Sequence, residues 1–133
     1  MLEAAQKKLP DQKFYKQSVY DLSFPEKPKF DGFWASKVLL HLPKSRLDEA
    51  LSSIKSVIKH GAIGFISMID GEGEGLELET WDDSSQHKRY FAYYSKEEFE
   101  ETLRRNGYKL IDYSYLPETK RLKWHCFFVQ LSK

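Results

Sequence analysis

The chain has 133 residues, with 21 Lys and Arg against 20 Asp and Glu, so its formal net charge is +1. The length predicts a single domain over residues 1–133. The balanced charge argues against a nucleic-acid partner, and the 41% hydrophobic and 15% aromatic content excludes a disordered chain. The apolar runs are too short to cross a bilayer and no signal core is visible, so we expect a cytoplasmic protein without a membrane partner.

The first third of the sequence predicts a short helix, two strands and a loop. Residues 2–8 are good helix formers that stop before Pro10, and a short strand is expected at about 13–18. Two prolines then mark a loop. The apolar run at 30–35 predicts the second strand.

The clearest predicted element is a helix that begins near Ser45. Leu47, Leu51 and Ile54 recur at helical spacing, Ser45 is the expected N-cap, and Gly61 is the expected C-cap. The continuous apolar run at 62–69 follows, and it predicts a strand covered on both faces, as in a parallel sheet.

The second half of the sequence predicts a long loop, a helix and a hairpin. Residues 70–94 are polar and predict a loop that contains at most one short strand. Ser95 and Glu98 form a capping box for a second helix that ends at Gly107. Two further strands joined by "PETK" predict an antiparallel hairpin. The lone Cys126 lies in the last strand, where a buried apolar role is favoured over a catalytic thiol.

Alternating strands and helices predict an α/β fold with mostly parallel strands and an antiparallel C-terminal hairpin. In such a sheet a ligand lies outside the carboxyl ends of the strands. Here those ends are "QSVYDLSFP" and "WASKVLLHLP".

The ordered set "FYKQSVYDLSFP", "FDGFWASKVLLHLP", "HGAIGFIS" and "RYFAYYSKEEFEETLRRNGY" resembles class I S-adenosylmethionine-dependent methyltransferases of the small-molecule type. The resemblance covers nearly the whole chain. It implies a Rossmann-like sheet from which the family's first two strands and the glycine-rich first motif are absent. "DGEGEGLE" alternates glycines with carboxylates after a later strand and is not that motif.

The resemblance implies S-adenosylmethionine as the cofactor and assigns its contacts to two segments: Ser18, Val19, Ala35, Ser36, Leu40 and His41, with Leu39 beside them. Ser18 stands where the family has an aspartate that accepts a hydrogen bond from the adenine amino group. A hydroxyl lacks the charge assistance of that carboxylate. Asp21 is the competing acidic candidate.

Each of these residues has an alternative interpretation. Ser18 could have the purely structural role of closing a turn. Trp34 and Leu39 fit a place in the hydrophobic core better than a ligand contact. His41 is the candidate base because its ordinary pKa near 6.5 suits proton transfer, yet a ring bonded to backbone is favoured. Methyl transfer from a sulfonium needs little more than alignment, so a missing catalytic triad does not argue against the family.

The loop at 70–94 corresponds to the family's substrate-covering region. Arg89, Tyr90 and Tyr93 are the candidate substrate contacts, with Tyr94 and His87 nearby. The alternative is that these tyrosines tether the loop to the following helix. The glutamates Glu72, Glu74, Glu77 and Glu79 show no metal-ligand spacing and predict a solvated face, so no metal site is predicted.

Two functions remain open from the sequence. One is a methyltransferase acting on a small molecule, with its sheet completed by a second chain or by self-association, and inactive as the isolated chain. The other is a non-catalytic interaction or regulatory module derived from a methyltransferase. Both follow because missing central strands leave sheet edges unpaired.

Overall fold

A computed structural model describes residues 7–11, 15–24, 29–78, 88–120 and 122–132. The strands and helices of this part, in chain order, are β1 (Phe30–Ser36), α1 (Leu47–Val57), β2 (Ile58–Ile69), β3 (Glu74–Leu78), β4 (Lys88–Ala92), α2 (Lys96–Arg105), β5 (Tyr108–Pro117) and β6 (Lys123–Leu131). Two short 3-10 turns, Leu39–His41 and Lys44–Arg46, join β1 to α1.

The main sheet has four strands in the order β1-β2-β6-β5. β1 and β2 are parallel neighbours, as the resemblance implies, and Trp34 lies opposite Phe65 in this pair. β6 runs antiparallel to both β2 and β5. The predicted C-terminal hairpin is therefore confirmed, and its second strand is inserted beside β2.

Both α1 and α2 cover the same face of this sheet. Phe99 of α2 packs against Phe127 of β6 with ring centroids 4.9 Å apart. The Tyr108 hydroxyl at the start of β5 donates to the carbonyl of Leu51 in α1 over 2.8 Å. The core lies between this face and the two helices, where Phe99 and Phe127 are fully buried. Burial also raises the pKa of Tyr108.

The opposite face, called here the outer face, carries Trp34, Ile63, Phe65 and Phe128. Trp34 is 69% exposed and Ile63 is 48% exposed. Trp34 stacks on Phe65 at 4.1 Å, and Phe65 packs on Phe128 at 5.0 Å. The prediction that the strand at 62–69 is covered on both faces holds at residues 66–69, which are all buried. It fails at Ile63, because both described helices pack on the other side of the sheet.

The ends of α1 differ from the prediction. Ser45 lies in a 3-10 turn, and the N-cap is Arg46, with no side-chain capping bond. The helix passes directly into β2 at Ile58, so no C-cap glycine is needed. Gly61, with φ of 83°, lies within β2 where its pairing with β1 is irregular. Glycine adopts this backbone conformation without steric cost.

The ends of α2 match the prediction. The Ser95 hydroxyl accepts a hydrogen bond from the Glu98 N–H over 3.1 Å. The Glu98 carboxylate, however, binds the ammonium of Lys44 at 2.9 Å, which ties α2 to the turn before α1. Gly107 follows the helix with φ of 86°.

The strand predicted at about 13–18 is wrong for residues 15–18, which form no strand, and residues 12–14 lie outside the described residues. Residues 15–24 instead lie against α1. The Leu22 N–H donates to the Ser53 hydroxyl over 2.8 Å. No described strand borders this segment, so no ladder is available to hold it extended. The helix predicted over 2–8 is described only at Lys7 and Lys8, which are helical.

The polar stretch at 70–94 contains two strands rather than one. β3 and β4 form a separate antiparallel pair in which Leu76 lies opposite Tyr90. An isolated bridge between Asp70 and Tyr94 links the end of this hairpin to the end of β2. Residues 79–87 lie outside the described residues.

Within the described part of the chain, neither helix has the length and apolar character that a membrane crossing demands.

Candidate functional site

The carboxyl end of β1 is held against β2 by serine hydroxyls. The Ser36 hydroxyl lies 3.4 Å from that of Ser67, and the Ser67 oxygen accepts the Lys37 N–H over 2.8 Å. Lys37 has φ of 57°, a left-handed conformation that is uncommon outside glycine. Such conformations are concentrated at functional sites, which marks this end of the sheet.

Ser18 closes a turn. Its hydroxyl accepts the Tyr20 N–H over 3.2 Å, and its carbonyl accepts the Asp21 N–H over 3.1 Å. This is the turn-closing arrangement expected of a serine in a loop. The role of Ser18 in adenine recognition stays a prediction, and Asp21 is exposed in the same turn.

A groove of about 290 Å³ runs along the edge of β1 that pairs with no described strand, called here the free edge of β1. It brings together two predicted cofactor contacts, Val19 and Ala35. Trp34, Val38 and Leu39 extend its wall. Val19 is half-buried and Ala35 is 8% exposed, while Leu39 is fully buried, so the groove is apolar and continuous with the core.

A second cavity of about 260 Å³, called here the Trp124 cavity, opens beside the turn that follows β1. It is lined by Lys37, Leu40, His41, Glu118, Leu122 and Trp124. The predicted contacts Leu40 and His41 therefore share a cavity, although Leu40 is also a core residue at 1% exposure.

The His41 ring is bonded to backbone. Its Nδ1 lies 2.9 Å from the carbonyl oxygen of Tyr90. Because a carbonyl only accepts, Nδ1 carries the hydrogen, and the lone pair of the neutral ring is on Nε2. The ring packs edge-on against Phe91 at 4.9 Å. This geometry matches the alternative interpretation, in which the His41 ring is bonded to backbone. The catalytic role of His41 stays a prediction.

The candidate substrate residues lie on the β3–β4 hairpin, but they do not share one wall. Arg89 and Tyr90 are successive residues of β4, so their side chains point to opposite faces. The Tyr90 hydroxyl donates to Glu74 over 2.6 Å. This bond raises the pKa of Tyr90 and, with the Lys44 N–H, lowers the pKa of Glu74.

The neighbouring tyrosines also stabilise the hairpin. The Tyr93 N–H donates to the Gly73 carbonyl over 2.9 Å, and its ring stacks with Phe91 at 6.3 Å. Tyr94 is 2% exposed and belongs to the core, so it offers no wall to a substrate. The tether to the following helix is visible for Tyr94, whose ring packs on Phe99 of α2 at 5.2 Å, whereas Tyr90 and Tyr93 hold the two strands of the hairpin together. Their contact with substrate stays a prediction, and His87 lies outside the described residues.

No protein-family model and no curated protein sequence matches the chain. Solved structures do. The 1,6-didemethyltoxoflavin-N1-methyltransferase of Burkholderia thailandensis, solved with 1,6-didemethyltoxoflavin and S-adenosylhomocysteine, is 19% identical, with a TM-score of 0.74 over 98% of this chain and 56% of that one. An S-adenosylmethionine-dependent methyltransferase of Clostridium acetobutylicum is 14% identical, with a TM-score of 0.75 over 99% of this chain and 71% of that one.

The chain has the methyltransferase fold. A magnesium protoporphyrin IX methyltransferase of Synechocystis, solved with S-adenosylmethionine, shares it at 14% identity and a TM-score of 0.67, with 98% of this chain and 54% of that one covered. The chain therefore spans little more than half the length of two of these enzymes. In this methyltransferase fold the Rossmann-like sheet is partial, as the resemblance predicted.

The methyltransferase fold here also contains a polar cluster that the sequence did not reveal. His125 is 4% exposed, and its Nε2 lies 2.8 Å from an Asp70 oxygen while its Nδ1 lies 2.5 Å from the Tyr113 hydroxyl. The Tyr115 hydroxyl donates to Asp70 over 3.4 Å. Burial and the Asp70 charge raise the pKa of Tyr113 and of Tyr115. In the sequence, the only sign of this cluster is Asp70, which comes directly after the apolar run at 62–69.

A second set that was missed forms the floor of the Trp124 cavity. The Trp124 indole N–H donates to Glu118 over 3.2 Å. The ammonium of Lys37 lies 4.6 Å from the Trp124 ring centroid and 3.8 Å from the same carboxylate. Lys37 is more than about 80 residues from Glu118 and Trp124 in the sequence, and no local pattern connects them.

The remaining candidates carry no ligand chemistry in the described residues. Glu74 binds within the hairpin, Glu72 is exposed, and Glu79 lies outside the described residues. Across the described ranges, no group of three or more His, Cys, Asp or Glu residues could hold a metal ion. Cys126 is half-buried on the last strand.

Proposed function

We propose that this chain is a single domain of a small-molecule methyltransferase that uses S-adenosylmethionine once its sheet is completed along β1. The observation that carries the proposal is the apolar groove at the free edge of β1, in a chain whose fold is matched over 98% of its length by a methyltransferase solved with S-adenosylhomocysteine. The groove joins the two segments, around Val19 and Ala35, to which the resemblance assigns cofactor contacts.

The residues of the groove fit part of this cofactor. Val19, Ala35 and Leu39 provide an apolar wall suited to a flat base. Ala35 and Ser36 are small residues at the carboxyl end of β1, and their backbone would face the cofactor. The cofactor supplies an activated methyl group, and the protein then has only to align the acceptor with it.

The partner that completes the sheet is part of the proposal. β1 is an edge strand in the described part of the chain, and the outer face beside it exposes Trp34 and Ile63. Unpaired strand edges and exposed apolar patches are characteristic of association sites. A second copy or another chain bound there would cover both features, and we expect little activity without it.

Calorimetric titration with S-adenosylhomocysteine, paired with a mass measurement of the same samples, tests the proposal. We expect binding in samples where the chain is associated and none in the monomer. Val38→Arg, on the groove wall, should weaken this binding at least about tenfold, because it places a charge in an apolar site. Leu76→Arg is the matched control, since Leu76 is an exposed apolar residue of β3.

Two outcomes contradict the proposal in different ways. Micromolar binding by a monomer would show that the cofactor site needs no further strands. Absence of binding in every associated form would favour the second candidate, a non-catalytic module. The Ser18 hydroxyl supports that candidate, because it is engaged with the Tyr20 N–H in its own turn.

A further inference from the structure

The Trp124 cavity contains a lysine that lies over an indole ring and beside a carboxylate. The ammonium of Lys37 lies 4.6 Å from the centre of the Trp124 ring and 3.8 Å from a Glu118 oxygen. The indole N–H of Trp124 donates to the same Glu118 oxygen over 3.2 Å, which fixes the carboxylate at the edge of the ring. A negative charge and the electron-rich face of an indole therefore converge on one cation.

We propose that this cavity binds a small organic cation, an amine or an ammonium compound, in the place that the Lys37 ammonium occupies. Trp124 is 4% exposed and so provides a fixed surface. The side chain of Lys37 is 53% exposed and that of Glu118 is 47% exposed. A solvated ion pair of this kind is weak, so Lys37 can leave the ring and make room for a ligand.

The other walls of the cavity define the rest of the ligand. Leu40 and Leu122 are apolar, and the ring of His41 is fixed by its bond to the Tyr90 carbonyl. The volume of about 260 Å³ lies near the lower end for small-molecule sites. The expected ligand is therefore a compact apolar body that carries one positive charge.

This inference names the substrate class of the proposed methyltransferase, and it rests on that function only for the claim that the bound cation is the methyl acceptor. The cavity begins at Lys37, the residue after Ser36, to which the resemblance assigns a cofactor contact. Binding of the cation itself does not require the cofactor.

The test uses the full chain, labelled with ¹⁵N, and follows the indole N–H signal of Trp124 by NMR. Trp124→Phe identifies this signal among those of the three tryptophans. The probes are benzylamine, which is protonated at pH 7, and benzyl alcohol, which has nearly the same shape without the charge. We expect benzylamine to shift the signal to saturation, with an affinity about tenfold higher than that of the alcohol.

Two exposed side chains decide the result without threatening the fold. Glu118→Gln should weaken benzylamine binding about tenfold and leave the alcohol unchanged. Lys37→Met should strengthen benzylamine binding about threefold, because it removes the competing cation. Glu49→Gln is the matched control, since Glu49 is an exposed carboxylate that pairs with Arg46 on α1.

Equal affinity for amine and alcohol, or amine binding that Glu118→Gln leaves unchanged, would overturn the cation site. Its failure is distinct from failure of the proposed function. Amine binding by a chain that never binds S-adenosylhomocysteine would keep the cation site and overturn the methyltransferase assignment. Cofactor binding by a chain that shows no preference for the amine would keep the methyltransferase assignment and overturn the cation site.

Discussion

His125 is a buried imidazole with both ring nitrogens bonded. The Asp70 carboxylate can only accept, so Nε2 carries a hydrogen, and in the neutral ring Nδ1 accepts from the Tyr113 hydroxyl. This chain of bonds joins β5, β6 and the end of β2. It therefore stabilises the sheet at the end where the proposed site lies.

Tyr113→Phe should lower the free energy of unfolding by about 1–3 kcal/mol, because it leaves a buried ring nitrogen without a donor. Tyr115→Phe is the control. The Tyr115 side chain is 44% exposed and its bond to Asp70 is long at 3.4 Å, so we expect a change below about 0.5 kcal/mol. Urea unfolding of the two variants measures the difference. Equal effects would show that the His125 bond contributes nothing specific.

Gly32 lies against the backbone of β2, with no space for a side chain. A Cβ at this position would lie 2.5 Å from the backbone oxygen of Ile63. Gly32→Ala should therefore cost about 1–3 kcal/mol, since the two strands would have to separate. Gly75→Ala is the matched variant in β3, where an added Cβ meets no atom within 4 Å. Thermal unfolding of both checks the prediction, and a Gly32→Ala protein as stable as Gly75→Ala would contradict it.

At the scale of elements, α1 and α2 are joined by a polar contact at their exposed ends. Asp48 accepts hydrogen bonds from Asn106 and Arg105, each at 2.8 Å. These bonds lower the pKa of Asp48. A lowered pKa in the folded state means that the carboxylate stabilises the fold above its ordinary pKa and loses this effect as the pH falls.

Asp48→Asn should reduce stability by about 0.5 kcal/mol at pH 7, because this contact is largely solvated. The gap between the variant and the parent protein should begin to close as the pH falls below about 4, where this aspartate takes up a proton in the unfolded chain. The free energy of unfolding of both proteins, measured from pH 7 to pH 3, gives this difference at each pH. A gap that stays constant over this range would rule out the Asp48 charge as its cause.

The elements that could be predicted are those with a local signal. The apolar runs at 30–35 and 62–69 and the cap at Ser95 are confirmed because each depends on neighbours in sequence. The β3–β4 hairpin could not be predicted in full, since it depends on bonds such as that between Tyr90 and Glu74. The strand expected at 13–18 failed for residues 15–18 because a strand needs a bordering strand.

The same distinction separates the candidate sites. Val19 and Ala35 were named from a resemblance and do share a groove. The cavity formed by Lys37, Glu118 and Trp124 joins two distant parts of the chain, so periodicity and spacing carry no trace of it. Residues that are brought together only by the tertiary fold cannot be predicted from local sequence patterns.

At the scale of the whole molecule, the outer face determines what the protein can associate with. If a second copy covers it, Trp34→Asp should convert the associated form into a monomer, because a charge would be buried at the centre of the contact. Leu76→Asp is matched to it, since Leu76 is 68% exposed and Trp34 is 69% exposed. Light scattering across a concentration series measures the mass. A parent protein that stays monomeric throughout would contradict self-association.

The position of β6 has a consequence for how the protein is made. β6 follows β5 in the chain, yet it lies between β2 and β5 in the sheet. During synthesis, β2 and β5 both leave the ribosome before the strand that joins them, so the four-stranded sheet cannot form until β6 has been made. We therefore expect a product cut before Lys123 to remain unfolded and to be degraded.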